Sequence, residues 1–359
     1  MIPGTYLFNE EHIPVQAAFP VIDAHNHLWA AWDSIDNVVK VMDAVGVACY
    51  CDLTSNMSVS WGNGGYTLGQ GSIENFIQNC ANRYPGRFYG FTTATFCRQR
   101  DEPLFADAGE FVEETVETLR EDVRRGARGL KILKEFGMYY RDTAGSLVAV
   151  DDPRLAPIWD EAGRLGVPVL IHQSDPYGFF QDLTPENEHY DTLMKFPSWR
   201  YSGPNLPGKM ELLARRDNLI RRHPQVTFLL PHVANFPENL ASVGRLLDEN
   251  PNVYIDFSAR IDELGRQPYT SRDFLIRYQD RVYFGTDMPA SLEMYRCYFR
   301  FLETRDEYFI PPDYDGTFGR FRWRVHGLGL PQEVLAKIYY RNALKIIPVL
   351  KDLMKGEGK

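Results

Sequence analysis

His25 and His27 stand one residue apart at the end of the apolar run Val21-Ile22-Asp23-Ala24. Strand side chains alternate faces, so two imidazoles at this spacing point the same way. Three further apolar runs close on a group able to bind a metal: Leu170-Ile171-His172-Gln173, Leu229-Leu230-Pro231-His232 and Phe284-Gly285-Thr286-Asp287. One strand-end His or Asp commonly caps a helix or faces water; four such ends ask for a common cause. A divalent ion in a catalytic site takes a few neutral imidazoles or carboxylates and keeps a position open for water. His25, His27, His172 and Asp287 would make such a mixed shell, suited to zinc, with manganese or iron as alternatives. His232 would then lie beside the bound water as base or orienter.

Those residues need elements that bring four strand ends to one point. Apolar runs of strand length recur at 21–29, 45–53, 87–94, 127–133, 168–171, 225–230, 252–257 and 281–285. Between them, helices are predicted over 72–84 with Ser72 at the N-cap, and over 109–125, 210–222, 237–249 and 271–279. Another opens at Asp152-Pro153 and closes at Gly166, with the N-cap, first-turn proline and C-terminal glycine that helices favour. Eight strands alternating with helices predict an α/β protein, its parallel sheet closed into a distorted (β/α)8 barrel of the TIM type. An open doubly wound sheet is the alternative, but no Gly-x-Gly-x-x-Gly turn follows the first strand.

Chemistry in such barrels collects at the carboxyl ends of the strands, where every candidate ligand sits. Segments 174–209 and 288–330, after the fifth and eighth strands, are too long for plain connections and predict insertions standing over the mouth. The aromatic residues of 177–201 would either form a lid or, for most of them, a small core holding the insertion together. The glycines of 62–65 and 69–71 predict a mobile loop; without Gly-Lys-Ser/Thr they do not make a phosphate loop.

A chain of 359 residues fits one domain of this kind over 1–359, with the barrel core at about 20–348. Hydrophobic residues at 44% and charged residues at 24% exclude disordered and fibrous classes. A net charge of -9, with no basic stretch to offset it, excludes a nucleic-acid binder and leaves small molecules as partners. The five cysteines form no Cys-x-x-Cys pair, and an odd count suits a reducing compartment. No apolar segment reaches about 18 residues and no basic start precedes an apolar run in 1–20, so a cytoplasmic protein without membrane contact is expected. The aromatic loops are compatible with a homodimer but do not require one.

As an ordered set, His25-Asn26-His27, Ile171-His172-Gln173, Pro231-His232-Val233 and Phe284-Gly285-Thr286-Asp287-Met288-Pro289 resemble the signature of the amidohydrolase superfamily. The last motif and the closing stretch from Leu330-Pro331-Gln332-Glu333-Val334 to Tyr340-Arg341-Asn342-Ala343-Leu344 resemble its amidohydrolase 2 branch. That branch includes aminocarboxymuconate-semialdehyde decarboxylase. The resemblance implies a distorted barrel with one divalent metal on His25, His27 and His172. Asp287 would be a further ligand or would take the proton of the bound water, which His232 activates. In dinuclear relatives the histidine equivalent to His232 binds a second metal, bridged by a carboxylated lysine at the end of the fourth strand. Here that strand offers two lysines on opposite faces: Lys131 within it, and Lys134 nearer the mouth, the candidate bridge.

Arg260 shares a face of the seventh strand with Asp256 and Ser258. It offers a planar two-donor fork to a substrate carboxylate, or a structural partner to Asp256 or Asp262. Tyr139 and Arg141, after the fourth strand, and Trp29, after the first, are further candidates for the substrate pocket. His189, in the long insertion, matches no family position and is worth testing on its own account. The expected reaction is hydrolysis of an amide, lactone or ester-like bond by a metal-activated water, with Asp287 and His232 as proton carriers. The alternative is non-oxidative decarboxylation of a small aromatic or dienoic acid, with Arg260 or Arg141 on the carboxylate.

Overall fold

The computed structural model describes residues 5–29, 35–62, 65–97, 103–107, 109–311 and 323–351. Among them the strands are β1 (Val21–Asn26), β2 (Val47–Asp52), β3 (Met57–Gly62), β4 (Gly65–Gln70), β5 (Phe88–Gly90), β6 (Leu130–Ile132), β7 (Val169–Ile171), β8 (Phe228–Leu230) and β9 (Val253–Ile255). All but β3 and β4 pair in parallel, in the orders β1-β2-β5 and β6-β7-β8-β9. Backbone hydrogen bonds join the two sheets on both sides. Thr92 N donates to Gly129 O (2.9 Å) and Lys131 N to Thr92 O (2.8 Å). On the far side Tyr283 N donates to Ile255 O (3.0 Å) and Ala24 N to Phe284 O (3.0 Å). Segment 282–284 thus takes the eighth strand's place, and the ring returns to β1 as the expected (β/α)8 barrel.

Alternation along each strand separates two cores. Ile22, Cys51, Phe91, Leu170, Leu229 and Tyr283 meet inside, together with Ile347 and Leu350 from the closing segment. Val21, Val47, Ile132, Val169 and Phe228 face outward under the helices α1 (Ile35–Val45), α2 (Glu110–Arg125), α3 (Ala156–Leu165), α4 (Lys209–Arg222), α5 (Leu240–Glu249), α6 (Pro268–Arg277) and α7 (Leu292–Glu303). The entry to α3 is as read from sequence: Asp152 Oδ1 accepts from Arg154 N (2.9 Å), and Gly166 closes it at φ 67. α5 starts three residues later than the apolar pattern suggests, because the Asn239 side chain caps it by accepting from Ser242 N (3.0 Å).

One expectation is corrected. The glycine-rich stretch after β2 is not a loose loop: β3 and β4 form an antiparallel hairpin in register from Met57↔Gln70 to Gly62↔Gly65, with 63–64 outside the described residues. The glycines serve close approach, since a Cβ on Gly71 would lie 2.7 Å from the Met57 carbonyl carbon. Insertion 174–209 has a small core of its own, Phe179, Leu193 and Tyr201 packed with Met138 and Leu212. Insertion 288–330 begins with α7, capped by Ser291, and its residues 312–322 lie outside the described residues. No described helix is long and apolar enough to cross a membrane.

Candidate metal centre

The carboxyl ends of the barrel strands open on one cavity, lined among others by His27, His172, His232, Arg260 and Asp287, with His25 fully buried beside them. Three imidazoles turn Nε2 toward the Asp287 carboxylate, at 3.7 Å for His25, 3.5 Å for His27 and 3.6 Å for His232. Each Nδ1 is engaged from behind: His25 by Asp256 Oδ2 (2.8 Å), His27 by Thr54 Oγ1 (2.8 Å) and His232 by the Ser258 carbonyl (2.7 Å). A carbonyl and a carboxylate only accept, so Nδ1 of His232 and of His25 carries the proton and each Nε2 presents a lone pair inward. Among the described residues these two buried Nε2 atoms have no hydrogen-bond partner. Among the described residues, His25, His232 and Asp287 form the set whose ligand atoms all lie within 4.8 Å of one another. Two ligands at about 2.1 Å from a tetrahedral ion stand about 3.4 Å apart, so the donor set and its spacing fit a divalent metal.

His172 is placed differently. Its Nε2 lies 3.2 Å from Asp175 Oδ1, and Asp175 holds Lys134 Nζ at 2.6 Å. Its ring meets His232 edge-on at 4.5 Å between centroids. Among the described residues His232 thus stands in the closest mutual set, with His27 and His172 beside it. The cause is the backbone. Residues 232–235 run left-handed, with φ of 57, 57, 53 and 56°, pinned by His232 N on Asp256 Oδ1 (3.0 Å) and Val233 N on Asp256 O (2.6 Å). Asp287 is also left-handed, at φ 52°. Such dihedrals cost non-glycine residues about 1–3 kcal/mol each, and strain of this kind gathers at functional sites.

Burial drives His27 and His232 well below the ordinary imidazole range and His172 to about 3, so all three are neutral, the metal-binding form. Burial raises Asp287, against the opposing pull of His25 and Lys131. For Asp256 burial would do the same, yet the His25 imidazole and the bonds from His25, Ser258 and His232 N hold it at about 2.

The two lysines of β6 and its extension part ways. Lys134 is ion-paired to Asp175 and bonded to Tyr201 Oη (3.0 Å), an engaged ammonium rather than a free bridge. Lys131 is fully buried, lines the cavity, and its Nζ has no hydrogen-bond partner. Trp29 walls the cavity, edge-on to His27 at 5.4 Å, with its N–H on Asn26 Oδ1 (3.1 Å). Arg260 lines it too, with Nε unpartnered. Tyr139 and Arg141 do not reach it: Tyr139 is 58% exposed and Arg141 donates to Gly145 O (2.7 Å) in its own turn. The chain leaves the mouth at Gly137, φ 86°, and carries both away.

Sequence reasoning missed the supports. Thr54, Asp256 and Ser258 set the imidazoles, and Asp23 ties β1 to 285–287 by accepting from Thr286 Oγ1 (2.7 Å), Tyr295 Oη (2.8 Å) and Asn26 Nδ2 (2.9 Å). A carboxylate inside the apolar run Val-Ile-Asp-Ala was the available signal for Asp23.

A parallel barrel that converges neutral, back-bonded imidazoles on a partly buried carboxylate defines a metal-dependent enzyme. The chain belongs to the amidohydrolase family, whose sequence profile matches residues 22–349. Several solved structures share its fold. A putative amidohydrolase from Staphylococcus aureus is 17% identical, covering 91% of this chain and 99% of its own at a TM-score of 0.51. 2,6-Dihydroxybenzoate decarboxylase from Rhizobium is 15% identical, over 92% and 99%, at 0.54. A dihydroxybenzoic acid decarboxylase from Polaromonas sp. JS666, with bound manganese and the inhibitor 2-nitroresorcinol, is 14% identical, over 92% and 97%, at 0.53. No curated protein sequence matches the chain.

Proposed function

We propose that the protein is a metal-dependent hydrolase that cleaves an amide, lactone or ester-like bond of a small molecule. One divalent ion, zinc or manganese, would be held among His25, His27, His172, His232 and Asp287. Bound there, it supplies Lewis acidity to the scissile carbonyl and lowers the pKa of water toward about 7. The observation that carries the reading is Asp287, a partly buried carboxylate with three imidazole Nε2 atoms 3.5–3.7 Å away. Asp287 accepts the proton that water gives up as the water oxygen bonds to the carbonyl carbon. The carbon–heteroatom bond then breaks, and Asp287 returns the proton to the leaving atom. His232, oriented through Ser258 O, presents Nε2 to the same point.

A second reading, loss of carbon dioxide from a planar acid, is favoured by one specific observation. Two buried cations, Lys131 with Nζ unpartnered and Arg260 with Nε unpartnered, face an aromatic-walled cavity and suit a carboxylate. There the carbon–carbon bond breaks and the proton goes to carbon. Asp287→Asn tests the proton role in metal-loaded protein screened on lactones, amides and aromatic acids. Metal content should persist while turnover falls at least about 100-fold; unchanged turnover overturns the assignment. Carbon dioxide released without water consumed would assign the second reaction.

A further inference from the structure

The cavity has another polar wall, which this reaction does not use. His189, in insertion 174–209, is buried edge-on to Phe179 and Trp323, at 5.2 and 5.6 Å between centroids. Among the described residues its Nε2 has no hydrogen-bond partner; the acid beside it, Glu188 Oε1, stands 3.6 Å away and accepts from Arg266. Glu263, in the turn Ile261–Gly265 after β9, is buried with its Oε2 unpartnered. Both side chains line the cavity. Arg260 lines the same cavity, and its charge acts on His189 and Glu263 as well as on His232 and Asp287. Buried polar atoms without partners destabilise a fold, and their retention in a ligand cavity points to a group that satisfies them.

We propose that His189 and Glu263 form a specificity wall that receives a hydroxyl of the substrate. One hydroxyl donates to the Glu263 oxygen and accepts from the imidazole N–H, which neither a methyl nor a fluorine does. A carboxylate there would face Glu263. The apolar faces of Phe179 and Trp199 on the same cavity suit an aromatic ring carrying that hydroxyl. The wall deepens the active-site reading above and rests on it for the orientation of the substrate, but its own contacts need no metal.

The test titrates two isosteric pairs, 4-hydroxybenzoate with 4-fluorobenzoate and phenol with fluorobenzene, into the whole protein by ligand-observed NMR, with and without Mn2+. On wild type the hydroxyl member of each pair should bind at least about tenfold tighter. In His189→Phe and in Glu263→Met the preference should fall to about one while the fluoro compounds bind as before. Glu263→Gln, which keeps shape and polarity, should retain part of the preference and separates recognition from misfolding. Equal binding of both members of both pairs on wild type, or an unchanged preference in both variants, overturns the proposal. A hydroxyl preference in protein that takes up no manganese would sink the catalytic reading and uphold the wall.

Discussion

Asp256→Asn should uncouple the metal centre without removing a ligand. Oδ1 of Asp256 accepts from three donors, Ser258 Oγ (2.6 Å), Ser258 N (2.9 Å) and His232 N (3.0 Å), while Oδ2 alone faces His25 Nδ1 (2.8 Å). The oxygen of an asparagine is therefore fixed at the Oδ1 position, and its NH2 must face His25. Nδ1 of His25 then has to accept, which moves the imidazole proton to Nε2, the atom 3.7 Å from Asp287. A protonated Nε2 cannot bind a metal. Loss of such a supporting carboxylate typically lowers metal affinity about 10–100-fold. Full burial and the forced tautomer argue for the upper part of that range, about 2–3 kcal/mol by RT ln 10 per decade. Competition against a chromophoric chelator, with zinc and with manganese at pH 7.5, reads the affinity directly, and circular dichroism checks that the variant is folded. A folded Asp256→Asn protein binding metal within twofold of wild type would refute the tautomer argument and, with it, the placement of His25 as a ligand.

Two further expectations concern packing and charge. In Gly285→Ala the new Cβ would lie 2.6 Å from His25 Cβ and 3.2 Å from His25 N, so β1 must shift; a loss of about 1–3 kcal/mol in stability and weaker metal binding should follow. Gly203→Ala, with nothing within 4 Å, should change neither, and equal melting of the two variants would contradict the packing argument. Glu161 is held at about 2, first by the bond from Arg164 and then by that from Arg120. Its folded value lies below the ordinary 4.5, so its contribution is full above about 4.5 and disappears as pH falls toward 2. Both arginines are about half exposed, which screens the pair to roughly 1 kcal/mol. Glu161→Gln should thus melt a degree or two lower at pH 7 and indistinguishably at pH 2; a deficit that persists at pH 2 would assign the effect to something other than the ion pairs.

The barrel was legible because its evidence is local. Runs such as Val169–Ile171 and Phe228–Leu230 are short, apolar and bounded, and the residue that ends each one lands at the mouth by construction. The hairpin of β3 and β4 was hidden by its glycines, which read as flexibility until the 2.7 Å approach of Met57 to a Cβ at Gly71 shows why they are small. α1 went unread between two strong strands, although its buried face, Val38, Val39, Met42 and Val45, has helical spacing. Tyr139 and Arg141 were assigned to the mouth by proximity in sequence, and one left-handed glycine removes them. Roles within the histidine set depend on dihedrals that no pattern encodes: four successive left-handed residues after Pro231 bring His232 to Asp287.

The charge balance at the barrel floor bears on both proposed reactions. Burial lowers the pKa of Lys131, and among the described residues its Nζ has no hydrogen-bond partner, so its charged form is costly unless opposite charges lie near. The opposing pull comes first from Asp287 and then from Asp256, so the charged lysine would offset part of the negative charge of these two acids. A divalent ion held there would add two positive charges to a centre whose acids are already partly balanced. The surplus, extended by Arg260, favours whatever negative charge then enters: an oxyanion developing at a carbonyl, or a carboxylate brought by the substrate. The same floor would therefore suit either proposed reaction, and the two would diverge at one atom. In the first the proton assigned to Asp287 would end on a heteroatom, in the second on carbon, and the shape of the cavity above the floor would decide which atom is presented.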